Sequence, residues 1–199
     1  MKRLILTLSI FLIMLSGVIA YTTSSQEIYK KIQKSSVKIY TVNPDFGFCT
    51  GTIIKDDGNE AQTLTCKHCV SLNEETYVEN NRVIDVRVSA NDDLAIMTTA
   101  SIPNKEPAVL AKDKALRGYK VYVFGQPGFT KIHAVEGTIL RYSEDWGYMN
   151  MKIIPGCSGG GVFDEEGKLV GVVWGGLSGD RVGIFEPLDD VKSFINRIK

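Results

Sequence analysis

Most of the chain alternates between apolar and polar residues with a period of two, in short runs rich in β-branched side chains. Turn-forming stretches such as Asp56-Asp57-Gly58-Asn59 and Glu165-Glu166-Gly167 separate the runs. About eleven short strands at this spacing favour an all-β barrel or sandwich. The predicted strands cover residues 37–42, 48–54, 62–65, 83–88, 94–98, 120–124, 132–142, 148–153, 161–163, 169–173 and 181–185.

Helical spacing is confined to the two ends of the chain. Apolar residues behind the capping-box-like Ser24-Ser25-Gln26-Glu27 predict a short amphipathic helix over about residues 25–34. The last residues return to the same spacing and predict one closing helix, with Asp189 or Asp190 as its N-cap. A connection with two prolines, at residues 101–107, is the candidate boundary between two groups of strands.

The N-terminal segment differs from the rest of the chain and is typical of a signal peptide. Lys2 and Arg3 precede an almost wholly apolar stretch that ends with the small Ala20, where signal peptidase would cleave. We expect residues 1–20 to be removed and the mature chain to be exported, to the periplasm or out of the cell. The alternative is a membrane anchor formed by residues 4–20, since the uncharged run approaches the roughly 18 to 20 residues that span a bilayer.

Charge excludes one class of partner. The chain has 199 residues, 44% of them hydrophobic, which fits one compact domain or two small lobes. Lysine plus arginine and aspartate plus glutamate both count 23, and no basic cluster is longer than Lys30-Lys31. Binding to a phosphate backbone needs a concentrated positive surface, so we expect no nucleic-acid partner.

Export affects how the four cysteines are interpreted, because oxidising compartments favour disulfides over metal or redox sites. Cys49, Cys66, Cys69 and Cys157 allow three complete pairings. The C-x-x-C formed by Cys66 and Cys69 leaves zinc binding and thioredoxin-like redox chemistry as alternatives. No second C-x-x-C completes a zinc ribbon, so we expect neither a metal nor a cofactor.

A glycine-rich segment, Pro155-Gly156-Cys157-Ser158-Gly159-Gly160-Gly161, places one hydroxyl in a turn between two predicted strands. Glycines let the backbone direct several N–H groups at one point, as an oxyanion site requires, and they leave the serine accessible. A serine hydroxyl is a weak nucleophile at its own pKa, so this interpretation demands a base and an orienting carboxylate. The alternative is a tight turn in which Ser158 has no chemical role.

The search for a base is short, because the chain has two histidines. His68 ends an apolar strand beside a cysteine, whereas His133 lies within a strand, where we expect an ordinary histidine of the barrel face. For the carboxylate, Asp93 directly precedes the apolar residues that open a buried strand, and we prefer it to Asp92. The candidates are therefore Ser158 as nucleophile, His68 as base and Asp93 as orienting acid.

Three segments around these residues resemble the signature motifs of the trypsin-like serine peptidases, in that family's His, Asp, Ser chain order. They are Thr65-Cys66-Lys67-His68-Cys69, Asp93-Leu94-Ala95 and Gly156-Cys157-Ser158-Gly159-Gly160. The resemblance covers roughly residues 35–199. Gly125-Gln126-Pro127-Gly128, followed by Gly137-Thr138-Ile139, is most similar to the HtrA/Deg-type bacterial branch, and we expect no PDZ domain in this chain.

The resemblance implies two six-stranded Greek-key β-barrels, with a short helix before them and one helix after them. Residues 21–199 would form one protease domain, with a first barrel over about residues 35–104, a second over about 105–188 and the closing helix at 189–199. The catalytic residues would lie in the crevice between the barrels. His68 and Asp93 would come from the first barrel and Ser158 from the second.

The resemblance also implies how each residue acts. Ser158 would attack a peptide carbonyl, and His68 would take and return the proton. Asp93 would orient the imidazole and stabilise its charged form. The backbone N–H groups of Gly156 and Ser158 would hold the oxyanion.

Five residues match the family's substrate-binding positions: Lys152, Trp174, Gly175, Gly176 and Gly183. Lys152 lies near the base of the primary specificity pocket, where it would favour acidic substrate side chains; the alternative is a strand-surface lysine that faces solvent. The three glycines would leave the pocket walls open. The hydroxyl residue that the family usually has before the aromatic is absent here, which removes one support for the catalytic carboxylate.

The resemblance also suggests a pairing of the cysteines. Cys49 and Cys69 match a family disulfide beside the histidine, which leaves Cys66 and Cys157 as the second pair. Digestive members of the family have an acidic residue where this chain has Cys157, so something else must hold the nucleophile loop, and the second disulfide is our candidate. The alternative is two free buried thiols.

These motifs predict an exported, metal-independent serine endopeptidase that acts on protein or peptide substrates through an acyl-enzyme. A first alternative is a non-catalytic binding or regulatory module that keeps the fold. A second is a processing enzyme that cleaves one partner and little else.

Overall fold

In the described part of the chain, two antiparallel sheets are preceded by one helix and followed by another, which confirms the all-β class. The computed structural model describes residues 25–42, 47–71, 74–127, 132–177 and 181–198. The expected signal peptide lies outside these residues. Within them, every helix is too short or too polar to cross a bilayer.

The strands follow one another with a single helical turn among them. Helix α1 covers residues 25–35. The strands are β1 (Ser36–Thr41), β2 (Phe48–Asp56), β3 (Glu60–Cys66), β4 (Thr76–Val78), β5 (Asn81–Arg82), β6 (Asp85–Val88), β7 (Leu94–Ala100), β8 (Lys120–Gly125), β9 (His133–Tyr142), β10 (Gly147–Met149), β11 (Gly161–Phe163), β12 (Leu169–Gly176) and β13 (Gly183–Pro187). A 3-10 turn at Lys67–Cys69 follows β3, and helix α2 is Leu188–Arg197.

The first sheet has the strand order β5-β4-β1-β2-β3-β7-β6. Strands β3 and β7 pair antiparallel along their whole length, from Glu60 opposite Ala100 to Cys66 opposite Leu94. The end of β3 and the start of β7 therefore meet at one edge of the sheet. This register brings His68, two residues past β3, next to Asp93, the residue before β7.

The second sheet closes into a barrel with the order β10-β13-β12-β11-β8-β9. The connection between β10 and β11 carries Ser158. The pairing of β12 with β13 shifts register between Val173 and Gly175, so Trp174 is not paired with β13. The bulge leaves the backbone of Trp174 facing the connection that carries Ser158, as the hydrogen bond between them shows.

One hydrophobic cluster joins the two sheets to both helices. Leu64, Leu94 and Ile96 of the first sheet pack in it with Phe163 and Val172 of the second. Each of these side chains is at most 1% exposed. Apolar burial contributes about 25 cal/mol per Å² and interiors are close-packed, so this shared cluster fixes the position of one sheet against the other.

Two details differ from the sequence-based expectations. The first sheet has seven strands, because the hairpin of β4 and the two-residue β5 adds short strands at one edge. Strands this short carry too few alternating positions to register as a period-two pattern. Helix α2 begins at Leu188 with Pro187 as its N-cap, which places Asp189 and Asp190 in the first turn. Acidic side chains there stabilise the helix through its dipole.

Candidate active site

His68 and Asp93 form a directly hydrogen-bonded pair. His68 Nδ1 lies 2.5 Å from Asp93 Oδ2, and the backbone N–H of His68 donates to Asp93 Oδ1 at 2.9 Å. The backbone N–H of Lys67 also donates to the carbonyl oxygen of Asp93, at 3.0 Å. Both carboxylate oxygens are thus fixed by the same turn, which holds the imidazole with Nδ1 toward Asp93 and leaves Nε2 for other chemistry.

Asp92, the alternative carboxylate, has a different set of partners. Its Oδ2 accepts hydrogen bonds from Ser89 Oγ at 2.7 Å and from Arg197 Nη2 at 2.9 Å. Arg197 belongs to helix α2, so Asp92 links that helix to the loop before β7. The geometry therefore favours Asp93 over Asp92 as the partner of His68.

Ser158 lies in the same cavity as this pair. A cavity of about 510 Å³ is lined by Ser158, His68, Asp93 and Trp174, among others. The Ser158 hydroxyl donates to the carbonyl oxygen of Trp174 at 3.0 Å, and no hydrogen bond joins it to His68 among the residues that the structure describes. Catalytic hydrogen bonds are often long or misaligned without substrate, and the hydroxyl must turn toward His68 before a proton can move.

Two consecutive turns shape the loop that carries Ser158. Cys157 N donates to Ile154 O at 3.2 Å, and Gly160 N donates to Cys157 O at 3.0 Å. Gly156 has a φ of 91°, a conformation that L side chains rarely adopt, and a Cβ there would lie 2.7 Å from the Cα of Pro127. Within the described chain, the N–H groups of Gly156 and Ser158 donate no hydrogen bond, so both are available to an oxyanion.

Thr50 of the first sheet holds this loop, and the sequence alone did not indicate it. Its hydroxyl donates to Gly156 O at 2.8 Å and accepts from Gln126 N at 2.8 Å. Its backbone N–H donates to Ser158 O at 2.8 Å. Thr50 is fully buried, and a buried threonine in a strand looks like a β-branched core residue, which is why the sequence pattern does not identify it.

The cysteines follow the expected pairing in part. Cys49 and Cys69 form a disulfide with a Cα–Cα distance of 6.0 Å. The expected bond between Cys66 and Cys157 is absent, and both residues are free buried thiols. The two sulfur atoms have different neighbours, since Cys66 Sγ donates to Val173 O at 3.0 Å and Cys157 Sγ packs against Gly125.

Cys66 lies close enough to the pair to raise the question of a metal. The ligand atoms of Cys66, His68 and Asp93 all lie within 4.8 Å of one another. Burial, with the charge of Asp93 as a further cause, raises the pKa of the Cys66 thiol well above its ordinary value. His68 Nδ1 and Asp93 Oδ2 already hydrogen-bond to each other, so a cation bound by these three residues would have to replace that contact.

Glu186 of β13 is a second residue that the sequence did not indicate. It is 3% exposed, and its Oε1 accepts the backbone N–H of Asp93 at 2.9 Å. Burial raises the pKa of Glu186 to about 7, helped by the nearby charges of Asp190, Asp92 and Asp93 and opposed by the hydrogen bond from Asp93. A buried acid of β13 therefore holds the backbone of Asp93 in place.

The cavity beside Ser158 is lined by most, but not all, of the expected substrate-binding residues. Its lining includes Trp174, Gly175 and Gly176, together with Ile153, Ile154 and Pro155. A Cβ on Gly183 would lie 2.8 Å from Ile153 Cγ1, so Gly183 supports Ile153 from behind the wall.

Lys152 does not contribute to this cavity, which corrects the expectation that it lies at the pocket base. Its side chain is exposed, and its carbonyl oxygen lies 3.0 Å from His133 Nε2. Strand β10 ends at Met149, so both residues lie in the loop that follows it, where Ile153 and not Lys152 lines the cavity. The wall of the cavity near Ser158 is therefore aliphatic rather than cationic.

Comparison with known families gives the identity of the fold. A family model described as a trypsin-like peptidase domain matches residues 49–172, more than half of the chain. The chain belongs to the trypsin-like peptidase family. No curated protein matches it by sequence.

Solved proteases share the architecture of this trypsin-like peptidase. It is similar to the Rv3671c protease of M. tuberculosis in its active form, with a TM-score of 0.70 and 25% identity over 83% of this chain and 81% of that chain. It is also similar to the serine endoprotease from Yersinia pestis, with a TM-score of 0.74 and 18% identity over 87% of this chain and 65% of that chain. The family match, together with the likeness to the Rv3671c protease, supports a serine-type endopeptidase.

Proposed function

We propose that this trypsin-like peptidase hydrolyses peptide bonds through an acyl-enzyme on Ser158, with His68 as general base and Asp93 as its orienting acid. The observation that carries the proposal is that the hydrogen-bonded His68 and Asp93 and the accessible Ser158 line one cavity. A nucleophile, a base and a group that orients the base are the parts that covalent acyl transfer requires.

The chemistry follows from the positions of the atoms. Ser158 Oγ attacks the substrate carbonyl while His68 Nε2 accepts its proton, and Asp93 stabilises the imidazolium at Nδ1. His68 then returns the proton to the leaving amine, which leaves the acyl group on Ser158. Water, deprotonated by the same imidazole, attacks the ester and releases the second product.

The N–H groups of Gly156 and Ser158 stabilise the negative oxygen of each tetrahedral intermediate. Removing one such donor typically costs about 2.7–4 kcal/mol of transition-state stabilisation. The contacts of Thr50 with the carbonyl oxygens of Gly156 and Ser158 anchor the loop that carries both donors. Preorganisation of this kind is effective because the donors need no rearrangement when charge develops.

The cavity beside Ser158 favours a small aliphatic side chain immediately before the scissile bond. Ile153 and Ile154 supply apolar surface, and Gly175 and Gly176 leave one wall without side chains. Ile153 also packs against Gly176, where a Cβ would lie 3.2 Å from the Ile153 Cβ. The side chain of Ile153 thereby limits the depth of the cavity. The substrate is a protein or peptide, and the reaction requires no cofactor.

We place this activity outside the cytoplasm. The apolar segment before Ala20 is typical of a signal peptide. The Cys49–Cys69 disulfide supports the same location, because such bonds persist in oxidising compartments. Export through a cleaved segment is favoured over a retained anchor by its serines, Ser9 and Ser16, which dilute the apolar run.

The second candidate function is a binding or regulatory module without turnover. It is favoured by one contact, the hydrogen bond from Ser158 Oγ to Trp174 O instead of to His68. If that contact persisted in solution, the hydroxyl would stay unactivated. A processing enzyme with a single partner is intermediate between the two, since its nucleophile is activated but it turns over generic substrates slowly.

Covalent labelling with a fluorophosphonate separates these functions. The mature protein is treated with the probe, and the modified residue is identified by peptide mass spectrometry. We expect labelling at Ser158, its loss in Ser158→Ala, and strong slowing in His68→Ala. A folded protein that the probe leaves unmodified at Ser158 would replace the peptidase with the binding module. Fast labelling together with slow digestion of unfolded casein would identify the processing enzyme.

A further inference from the structure

A second cavity, of about 610 Å³, adjoins the one that contains Ser158. His68, Asp93 and Trp174 line both cavities. A peptide whose scissile carbonyl lies at Ser158 therefore reaches the second cavity with a neighbouring side chain. The composition of this second cavity differs sharply from the aliphatic lining beside Ser158.

Negative charge is concentrated in the second cavity. Besides Asp93, its lining includes five carboxylates and one lysine, Lys67, whose Nζ donates to Ser89 O at 3.1 Å. The five carboxylates are those of Asp92, Glu144, Asp145, Glu186 and Asp190. The chain as a whole has equal numbers of acidic and basic residues, so this concentration is local. Among the described residues, the ion pairs within this set are those of Asp92 with Arg197 and of Asp93 with His68.

Glu186 forms a buried part of this lining. It is 3% exposed, its Oε1 accepts the Asp93 N–H, and its other oxygen has no hydrogen-bond partner among the described residues. Burial and neighbouring carboxylates raise the pKa of Glu186 and also that of Asp190. A cationic group in the cavity would offset this mutual repulsion, because it favours the charged form of each acid.

Tryptophan side chains supply the apolar part of the same cavity. The rings of Trp146 and Trp174 are 5.5 Å apart between centroids, in an edge arrangement. The His68 ring lies 6.1 Å from that of Trp174. Indole surfaces pack against the methylene stem of lysine or arginine and attract the cationic head through the ring face.

We propose that this acidic cavity is a specificity subsite that binds a lysine or arginine side chain of the substrate. The residue in question flanks the one that occupies the aliphatic cavity, within about four positions of the scissile bond. The proposal rests on the proposed function, since it uses Ser158 to define where the substrate lies. A bare metal ion fits less well, because the cavity is far larger than one ion and its lining includes two tryptophans, which offer no metal ligand.

Position-scanned peptides test the subsite. Each peptide has valine before the scissile bond and carries lysine, norleucine or glutamate at one flanking position. We expect kcat/KM for lysine to exceed that for norleucine about tenfold at one or more positions in low salt, with glutamate the poorest. The ratio should fall toward one in 1 M NaCl, where charge interactions are screened within about 3 Å.

Two variants locate the effect in the cavity. The double variant Glu144→Gln/Asp145→Asn should lower the lysine-to-norleucine ratio at least threefold. Glu106→Gln also removes an acid but lies outside the cavity, in an exposed ion pair with Lys34, and should leave the ratio unchanged. An equal loss in both variants would show an effect of net charge and would overturn the subsite.

A binding measurement keeps the subsite separate from the chemistry. With the Ser158→Ala variant and fluorescently labelled forms of the same peptides, fluorescence anisotropy should give the same order of affinity, with lysine binding most tightly, and no peptide is turned over. Equal affinities and equal kcat/KM values for lysine and norleucine at every position would overturn the subsite and leave the peptidase intact. If Ser158→Ala bound lysine peptides selectively but the fluorophosphonate did not label Ser158 in the parent, the subsite would stand and the proposed peptidase activity would be overturned.

Discussion

The hydroxyl of Thr50 donates a 2.8 Å hydrogen bond to the carbonyl oxygen of Gly156. The contact links the first sheet to the loop of the second sheet that carries the nucleophile. Digestive relatives, by the resemblance, hold this loop through an acidic residue at the position of Cys157. In this chain the loop is held by a buried neutral hydroxyl, which also accepts a hydrogen bond from Gln126 N.

Thr50→Val should lower kcat about tenfold or more while changing KM little. The variant removes the support of the loop that carries the oxyanion donors, but it leaves the substrate pocket intact. The variant also leaves Gly156 O and Gln126 N without their buried partner, which costs about 1–3 kcal/mol of unfolding free energy. Steady-state kinetics with a valine peptide and urea unfolding give the two values.

Thr50→Ser is the matched control, since it retains the hydroxyl and loses one methyl group. It should recover most of the lost kcat. If Thr50→Val lost stability but kept the parental kcat, Thr50 would be a structural residue and not a positioning one.

The free thiols make a separate prediction. Cys66 and Cys157 are both buried, and burial raises the pKa of the Cys157 thiol to about 11. Iodoacetamide should therefore label neither in the native protein and both after denaturation without reductant, because the thiolate is the reactive form. Non-reducing peptide mapping checks this, and a linked peptide that contains Cys66 and Cys157 would contradict it.

The motifs around His68, Asp93 and Ser158 could be found from the sequence because each is a short local pattern. Thr50 and Glu186 could not, because their functional contacts span 106 and 93 residues of sequence. Nothing local marks a buried threonine or a strand glutamate as part of a site. Only the packing of the two sheets brings Thr50 of β2 to the loop and Glu186 of β13 to Asp93.

The absence of the second disulfide could not be predicted for the same reason, since the bond depends on contacts between residues that are distant in the sequence. Elimination after pairing Cys49 with Cys69 leaves Cys66 and Cys157, but it does not specify where their side chains point. Cys66 lies at the end of β3 and faces the carbonyl of Val173. A pattern of cysteines therefore predicts candidates for a bond and not its geometry.

Ile153 should set the size of the residue accepted before the scissile bond. Ile153→Ala removes the side chain that packs against Gly176 and Gly183, which deepens the cavity. We expect the preference to move from valine or alanine toward leucine, methionine or phenylalanine. The unfolding cost should be below the roughly 2–5 kcal/mol of a fully buried isoleucine, because Ile153 is only partly buried. A peptide series that varies only this residue measures the shift.

Lys152→Ala tests the neighbouring position as a control. Its side chain is exposed and outside the cavity, so the preference for valine over glutamate or phenylalanine should be the parental one. If the parent cleaved efficiently after glutamate and Lys152→Ala did not, Lys152 would be part of the substrate pocket.

Glu186 should make stability depend on pH. Its pKa is raised from an ordinary value of 4.5 to about 7 in the folded chain. Below about pH 4 both the folded and the unfolded chain carry this proton. Between the two pKa values only the folded chain keeps it, so this acid's contribution to stability falls as pH rises and is least favourable above about pH 7.

Glu186→Gln removes that dependence and can still accept the Asp93 N–H through its amide oxygen. The variant should match the parent near pH 4.5 and exceed it at pH 8 by about 1–3 kcal/mol, as a shift of a few pKa units allows. The carboxylates that face Glu186, those of Asp92, Asp93 and Asp190, are all present in both proteins. Urea unfolding across this pH range measures the difference, with Glu106→Gln as the exposed control. A difference between variant and parent that is constant with pH would show that Glu186 is not held at a raised pKa.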